Sequence, residues 1–341
     1  MLDSKVLKYG NDNSRLCQAN VRGKKFLTPV YFASITTASI RGSLGALIDA
    51  IYELPYPNLL VSTYDIYHSY DEVNRKKITD LLKQYSLTGN FVFADSGIFE
   101  LNTLKRNDWS YDLYEKIITS MEYDFFASYD VESPSSKEYS ELLSLTNQRL
   151  VKSLSLSNGG GQFMTLFRTF NIAETSKLIE DVISSNNEYS SYVAVTERDI
   201  GKNLLDNYRS IKKIRETVNK YNSNGLIHVL GCGDPISMAV MSYAGADSFD
   251  SVDWNRWVIN PNTMESENIT HINIIDCDCE ACTEKIMDDR DRAYKHNLLL
   301  YRRYIEDLRY AIGSGIPLIT FLKERNIDQK KITKMETIFN K

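Results

Sequence analysis

With 341 residues, 43% of them hydrophobic, the chain is long enough to bury a large core, and its formal net charge of −5 argues against a generally basic nucleic-acid binder. No apolar run of about 18 residues appears, which argues against a membrane-spanning helix. The opening MLDSKVLKYGNDNSR carries charges where a signal peptide needs an apolar stretch, so a cytoplasmic protein with no membrane partner is expected.

Eight short apolar, β-branched or aromatic runs follow one another, at 29–35, 58–62, 91–94, 124–129, 163–167, 192–195, 226–230 and 248–252. Most are separated by helix-like stretches, at 72–85, 111–121, 138–150, 172–184 and 207–221. This β-then-α rhythm is that of a parallel sheet, and eight units predict a (β/α)8 barrel, a TIM barrel, over 1–258, with a doubly wound sheet as the alternative. The serine- and glycine-rich stretch 153–161 is expected to be a loop. From residue 259 the alternation breaks, which marks 259–312 as a small appended subdomain and 313–341 as a helical segment packing on the barrel.

Acids at strand ends carry more weight than acids on helices, because chemistry in such a barrel sits where the strands end. Asp95 closes FVFAD, Asp130 closes FFASYD, and Asp250 interrupts SFDSV. Each adjoins an apolar run, where a carboxylate is costly unless hydrogen-bonded or used. A pair of carboxylates at a sugar carbon can act as nucleophile and proton-transfer partner, so the pattern fits glycosyl transfer in general.

Further on, Cys277, Cys279 and Cys282 stand in C-x-C-x-x-C spacing, and His296 follows in an apolar-periodic segment. Three of the five cysteines within six residues of a long chain argue for a closed Cys3His zinc site rather than a disulfide framework; Cys17 and Cys232 read as ordinary reduced thiols. The late part of the chain also holds its basic stretches. Residues 323–341 carry six cations against three acids, and Arg290, Arg292, Lys295, Arg302, Arg303 and Arg309 surround His296. Either stretch can serve as a local nucleic-acid surface or simply as a solvated helix face.

Taken in order, these segments resemble the tRNA-guanine transglycosylase superfamily from about residue 28 to 312. TPVYFASITTASIRG looks like its first strand and loop, VSTYDIY like its second-strand motif, and FADSGIFE like its D-S-G-G-F-Q signature. YDVESP is similar to the D-E-C-P region, and HVLGCGDP with GADSFDSVDWNR to the glycine-rich and F-D-C-V segments. CDCEAC and the KHNL around His296 are similar to the zinc-ligand motifs. The resemblance implies a structural Zn2+ and exchange of guanine in a nucleic acid for a free 7-deazaguanine base. By position, Asp250 would be the nucleophile and Asp95 the general acid/base. Asp130 would bond the purine N1–H and 2-amino edge, Phe99 would stack on the base, and Ser96 and Gly97 would flank the acid/base. Gly231 and Gly233 would let the backbone approach the base.

Several positions depart from the family pattern. Ile98 and Glu100 replace a glycine and a glutamine of the signature, and Ser62 replaces an asparagine. Phe167, Arg168 and Thr169 stand where a glutamine would read the purine carbonyl, and Arg168 is the candidate donor there. ERDIGK replaces the segment facing the 7-substituent, leaving Gly201; Glu197 and Asp199 are expected to face solvent, with a pocket role as the alternative. The connection from Cys282 to His296 is several helical turns shorter than in the tRNA enzymes. Kept acids with changed base-reading surfaces resemble most the DpdA-type branch, which implies DNA as polymer and 7-cyano-7-deazaguanine as incoming base, with a partner that opens duplex DNA. The alternatives are a divergent tRNA enzyme, a non-catalytic nucleic-acid-binding subunit and a sugar-cleaving barrel glycosidase; the family also implies a homodimer.

Overall fold

Before the first expected strand the chain already forms β1 (Asp3–Tyr9), β2 (Arg15–Val21) and β3 (Lys24–Leu27), an antiparallel meander. Burial alternates along β2, so Cys17, Ala19 and Val21 share one apolar face. This face, with Phe26 of β3, packs into the same cluster as Phe91, Phe125 and Leu226 of the barrel, and so closes its N-terminal end. Arg15 clamps the arrangement by donating to both carboxylate oxygens of buried Asp247 at 3.0 and 2.9 Å, while Asp247 also accepts from Arg215 and the Ile227 amide.

The eight expected strands all form: β4 (Val30–Ile35), β5 (Asn58–Ser62), β6 (Phe91–Asp95), β7 (Phe125–Ala127), β8 (Gln162–Phe167), β9 (Tyr192–Thr196), β10 (Leu226–Leu230) and β11 (Ser248–Ser251). All pair in parallel and close as a barrel, with β11 returning to β4, so the doubly wound alternative does not apply. The structure is a computed structural model and describes residues 2–36, 38, 45, 56–68, 71–131, 134–157, 161–169, 172–284, 288–325 and 327–339. Residues 37 and 39–42 of the first motif, 132–133 of YDVESP, 158–160 of the expected loop and 340–341 lie outside these. Ser153–Leu156 of that loop are instead the last turn of a helix, Tyr139–Leu156.

Two-residue alternation decides which side chains face inward. Val30–Phe32–Ser34, Phe91–Phe93–Asp95 and Tyr192–Ala194–Thr196 climb the inner wall, apolar or aromatic below and polar at the top, while Leu226–His228–Leu230 and Ser248–Asp250 place a histidine and an aspartate on the same wall. The intervening Tyr31, Ala33, Val92, Ala94, Val193, Val229 and Phe249 face the surrounding helices in the main core.

After β11 come a short hairpin, β12 (Trp257–Ile259) with β13 (Ser266–Asn268), a helical turn at Glu280–Thr283, and the long helix Asp289–Ser314. Helices Leu318–Lys323 and Gln329–Phe339 complete the chain, burying Leu318, Phe321, Leu322 and Ile332 in the main core. Many late cations are used internally. Lys323 pairs with Glu336 at 2.6 Å, Arg325 with Asp307 at 2.9 Å, and Lys331 with Glu265. Lys295 bridges Glu280 and Glu284, and Arg309 donates to the Pro29 and Leu27 carbonyls.

Candidate active site and metal centre

The polar tops of the inner walls meet in one cavity of about 260 Å3, slightly below the roughly 300–1,000 Å3 of ordinary ligand pockets. Asp95, Ser96, Phe99, Asp130, Arg168, Gly231 and Asp250 all line it, so the structure brings together seven side chains or backbones spread over 156 positions of chain. Gly233 does not line it. A Cβ there would lie 2.4 Å from Ser251 Cβ, so this glycine serves close packing against the end of β11.

Asp250 is buried and held by three donors. Ser34 Oγ donates to Oδ2 at 2.6 Å, and the Gly231 amide donates to Oδ1 at 3.2 Å. His228 Nε2 lies 3.0 Å from the same Oδ1. Gly231 has a φ of 77°, a conformation that a side chain disfavours, and this turn aims its N–H at the carboxylate.

Asp95 keeps some exposure at the top of β6. Burial, then the neighbouring Asp250, push its carboxyl up to about 6, against the N–H groups of Gly97 and Ser96. Gly97, at φ 81°, starts the helix Ile98–Thr103 and gives its amide to Asp95 Oδ2 at 3.3 Å. A Cβ on Gly97 would lie 2.6 Å from Tyr64 Cβ. Ser96 is buried and its carbonyl accepts from Trp109 Nε1 at 2.8 Å. Phe99, in the first turn of that helix, forms a partly exposed wall of the cavity.

Asp130 and Arg168 form a buried ion pair through Asp130 Oδ2, and Arg168 Nε donates to Asp199 Oδ2 at 2.6 Å. Burial pushes Asp130 up while the guanidinium pulls it down. Asp199 is thus buried, contrary to the expected solvent-facing loop, because the short helix Glu197–Ile200 turns it under the cavity to meet Arg168. Glu197 also departs from expectation. It lines the cavity, and burial, then Asp234 and Asp253, push its carboxyl up to about 7.

Sequence reasoning missed His228 and the burial of Glu100. A lone histidine in IHVL reads as core, and only its alternation with Leu226 and Leu230 signals that it faces inward. Glu100 lines the cavity floor, where burial, then Asp65 and Asp95, push its carboxyl up to about 8, against the Thr36 and Ser62 hydroxyls. Asp130 Oδ1, Glu100 Oε2 and Thr196 Oγ1 are buried without hydrogen-bond partners among the described residues. Of these, the Asp130 carboxylate oxygen is an acceptor and suits a guest that brings N–H donors.

Some distance along the chain, the ligand atoms of Cys277, Cys279, Cys282 and His296 lie within 4.8 Å of one another, an arrangement that could hold a metal ion. His296 Nδ1 is 3.4 Å from Cys279 Sγ and 3.3 Å from Cys282 Sγ, near the roughly 3.6 Å edge of a tetrahedral zinc site. His296 Nε2 donates to the Ile259 carbonyl at 2.8 Å, which leaves the Nδ1 lone pair for a metal. The donor set and its outer support therefore fit a closed zinc site.

No family model matches the chain. It is similar to the curated tRNA-guanine(15) transglycosylase of Methanopyrus kandleri, 30% identical over 127 residues, 33% of this chain and 28% of that protein. The protein of the same name from Methanococcus aeolicus is 26% identical over 130 residues, 33% of this chain and 20% of the relative. In both, the match spans less than a third of the relative's own length. That of Nanoarchaeum equitans is 24% identical over 330 residues, 90% of this chain and 73% of the relative. These likenesses support the superfamily that the motifs resemble.

Proposed function

We propose that this protein is a guanine transglycosylase, a pentosyltransferase that exchanges guanine in a nucleic acid for a free 7-deazaguanine base. The observation that carries the reading is the meeting of Asp250 and Asp95 in one cavity, with Asp130 and Phe99 on its walls. In the first step an Asp250 oxygen attacks the sugar C1′ and the C1′–N9 bond breaks; the guanine leaves with a proton from Asp95. In the second, N9 of the incoming base attacks C1′, the ester C–O bond breaks, and Asp95 takes the N9 proton. A carboxyl near 6 suits both proton transfers. Phe99 stacks on the base, Asp130 Oδ1 accepts from its N1–H and 2-amino edge, and the Gly231 backbone borders it. Cys277, Cys279, Cys282 and His296 hold a structural zinc ion, which cross-links the segment around them and takes no part in the chemistry.

DNA is the polymer this reading favours, with 7-cyano-7-deazaguanine as incoming base. Its support is the altered set of base-facing side chains, Glu100, Arg168 and Glu197, around retained acids. tRNA is the second reading, supported by the printed names of the relatives. The test incubates the protein with radiolabelled 7-cyano-7-deazaguanine and duplex DNA, single-stranded DNA or unmodified tRNA, with Asp250→Asn as control. Label in DNA, lost in the control, is expected. Label in tRNA alone selects the second reading, and label in neither, with no covalent adduct, rejects catalysis and points to a binding subunit.

A further inference from the structure

Behind the proposed nucleophile runs a buried chain of polar groups. Tyr192 Oη lies 2.7 Å from Ser248 Oγ, which lies 2.8 Å from His228 Nδ1, and His228 Nε2 lies 3.0 Å from Asp250 Oδ1. Tyr192, Ser248 and His228 are fully buried. The imidazole packs in T-shaped contacts with Phe32, Phe93 and Tyr192 at 6.0, 5.3 and 6.3 Å, which hold the plane of the ring. A carboxylate only accepts, so Nε2 donates to Asp250, Nδ1 accepts from Ser248, and Ser248 accepts from Tyr192. Each donor in the row has one acceptor, and the row has one direction.

We propose that His228, fixed as the Nε2–H tautomer by Tyr192 and Ser248, is a positioning residue that speeds departure of Asp250 from the covalent intermediate. This rests on the transglycosylase reading above. Among the described residues, Oδ1 receives two donors, His228 and Gly231, while Oδ2 receives the Ser34 hydroxyl alone. Oδ2 is therefore the freer oxygen to attack C1′, and Oδ1 becomes the ester carbonyl. When the incoming base displaces Asp250, the C1′–Oδ2 electron pair returns to the carboxylate and its charge spreads onto Oδ1. Hydrogen bonds to a charged oxygen are stronger than to a neutral carbonyl, so both donors favour the carboxylate over the ester. They make Asp250 a better leaving group at some expense to its attack.

Loss of the imidazole should then separate the two steps. With labelled guanine exchanged into a tRNA transcript and into single-stranded DNA, His228→Phe should slow exchange roughly ten- to hundredfold, the worth of one hydrogen bond to a charged group. At the same time the protein–polynucleotide adduct seen on a denaturing gel should increase. His228→Gln, whose amide can donate toward the same oxygen, should recover part of the rate and lower the adduct again. Unchanged exchange and adduct in folded His228→Phe overturn the proposal, as does a parallel loss of both. Nitrogen NMR of the wild-type imidazoles, four in this chain, gives a reading independent of any variant; a proton on Nδ1 of His228 at pH 7.5 overturns it as well. If the wild-type protein forms neither adduct nor exchanged product, the transglycosylase reading itself fails, and this inference with it.

Discussion

Glu100 shows how far one residue's setting can depart from its type. Its carboxyl moves from an ordinary 4.5 up to about 8 because it is buried, and because Asp65 and Asp95 oppose its charge. Between those values the folded protein holds a proton that the unfolded chain has released, so stability falls as pH rises through that window, by up to about 1.4 kcal/mol per pH unit. Glu100→Gln keeps the shape and removes the titration. Urea unfolding at pH 5, 6.5 and 8 should show a flatter pH dependence for the variant and greater stability than wild type at pH 8; an unchanged slope would assign the pH dependence to other groups. Asp95 can be tested in the same way. Asp250→Asn removes the second-largest cause of its upward shift, so its titration, followed by carboxyl-carbon NMR, should move below about 6. Asp95 and Asp250 were legible in the sequence because an acid ending or interrupting an apolar run is unusual. His228 was not, since a histidine in an apolar strand reads as core. The burial of Asp199 was also illegible, because its partner Arg168 lies 31 positions away on another strand end.

At the scale of elements, the strands were legible and their closure was an inference from number. Short apolar, β-branched or aromatic runs located all eight, since the outer face meets helices and the inner face meets its own kind, so both are buried. The three N-terminal strands were not identified, because their outward faces are polar and the alternation in β2 is short. Turns between elements then decide where the acids point. Gly97 is the sharpest case, with φ 81° and Tyr64 against the position a Cβ would take. Gly97→Ala should cost about 1–3 kcal/mol from backbone strain alone, with the contact to Tyr64 adding to it. It should also shift the amide that Asp95 accepts, so exchange should fall even where the variant remains folded. Thermal melting with an exchange assay on the same sample checks both; full activity at wild-type stability would show that the turn tolerates a side chain.

On the scale of the whole molecule, one helix gathers the distant parts. Asp289–Ser314 carries His296 of the candidate metal centre near its start. Its next residue, Asn297, donates to the Trp254 and Trp257 carbonyls at 2.8 and 2.7 Å and accepts from the Ile259 amide at 2.9 Å, just after the strand that bears Asp250. A turn further, Tyr301 and Tyr304 each donate at 2.6 Å, to the Gly233 and Pro235 carbonyls beyond β10. Arg309 then holds the carbonyls of Leu27 and Pro29 ahead of β4. An ion bound by Cys277, Cys279, Cys282 and His296 would fix the register of this helix against the hairpin, and so bear on the proposed nucleophile Asp250 without touching it. Removing zinc with a chelator, or making Cys279→Ser, should lower the melting temperature, because structural zinc binding is coupled to folding. The loss should be graded in space: amide exchange should rise first at Ile259 and in 277–284, while β5 and β6, buried on both faces, keep their protection. Exchange activity should decline together with protection at Ile259 and return when zinc is restored to the chelated protein. Full protection at Ile259 in a zinc-free, folded sample would break this chain of dependence at its first link.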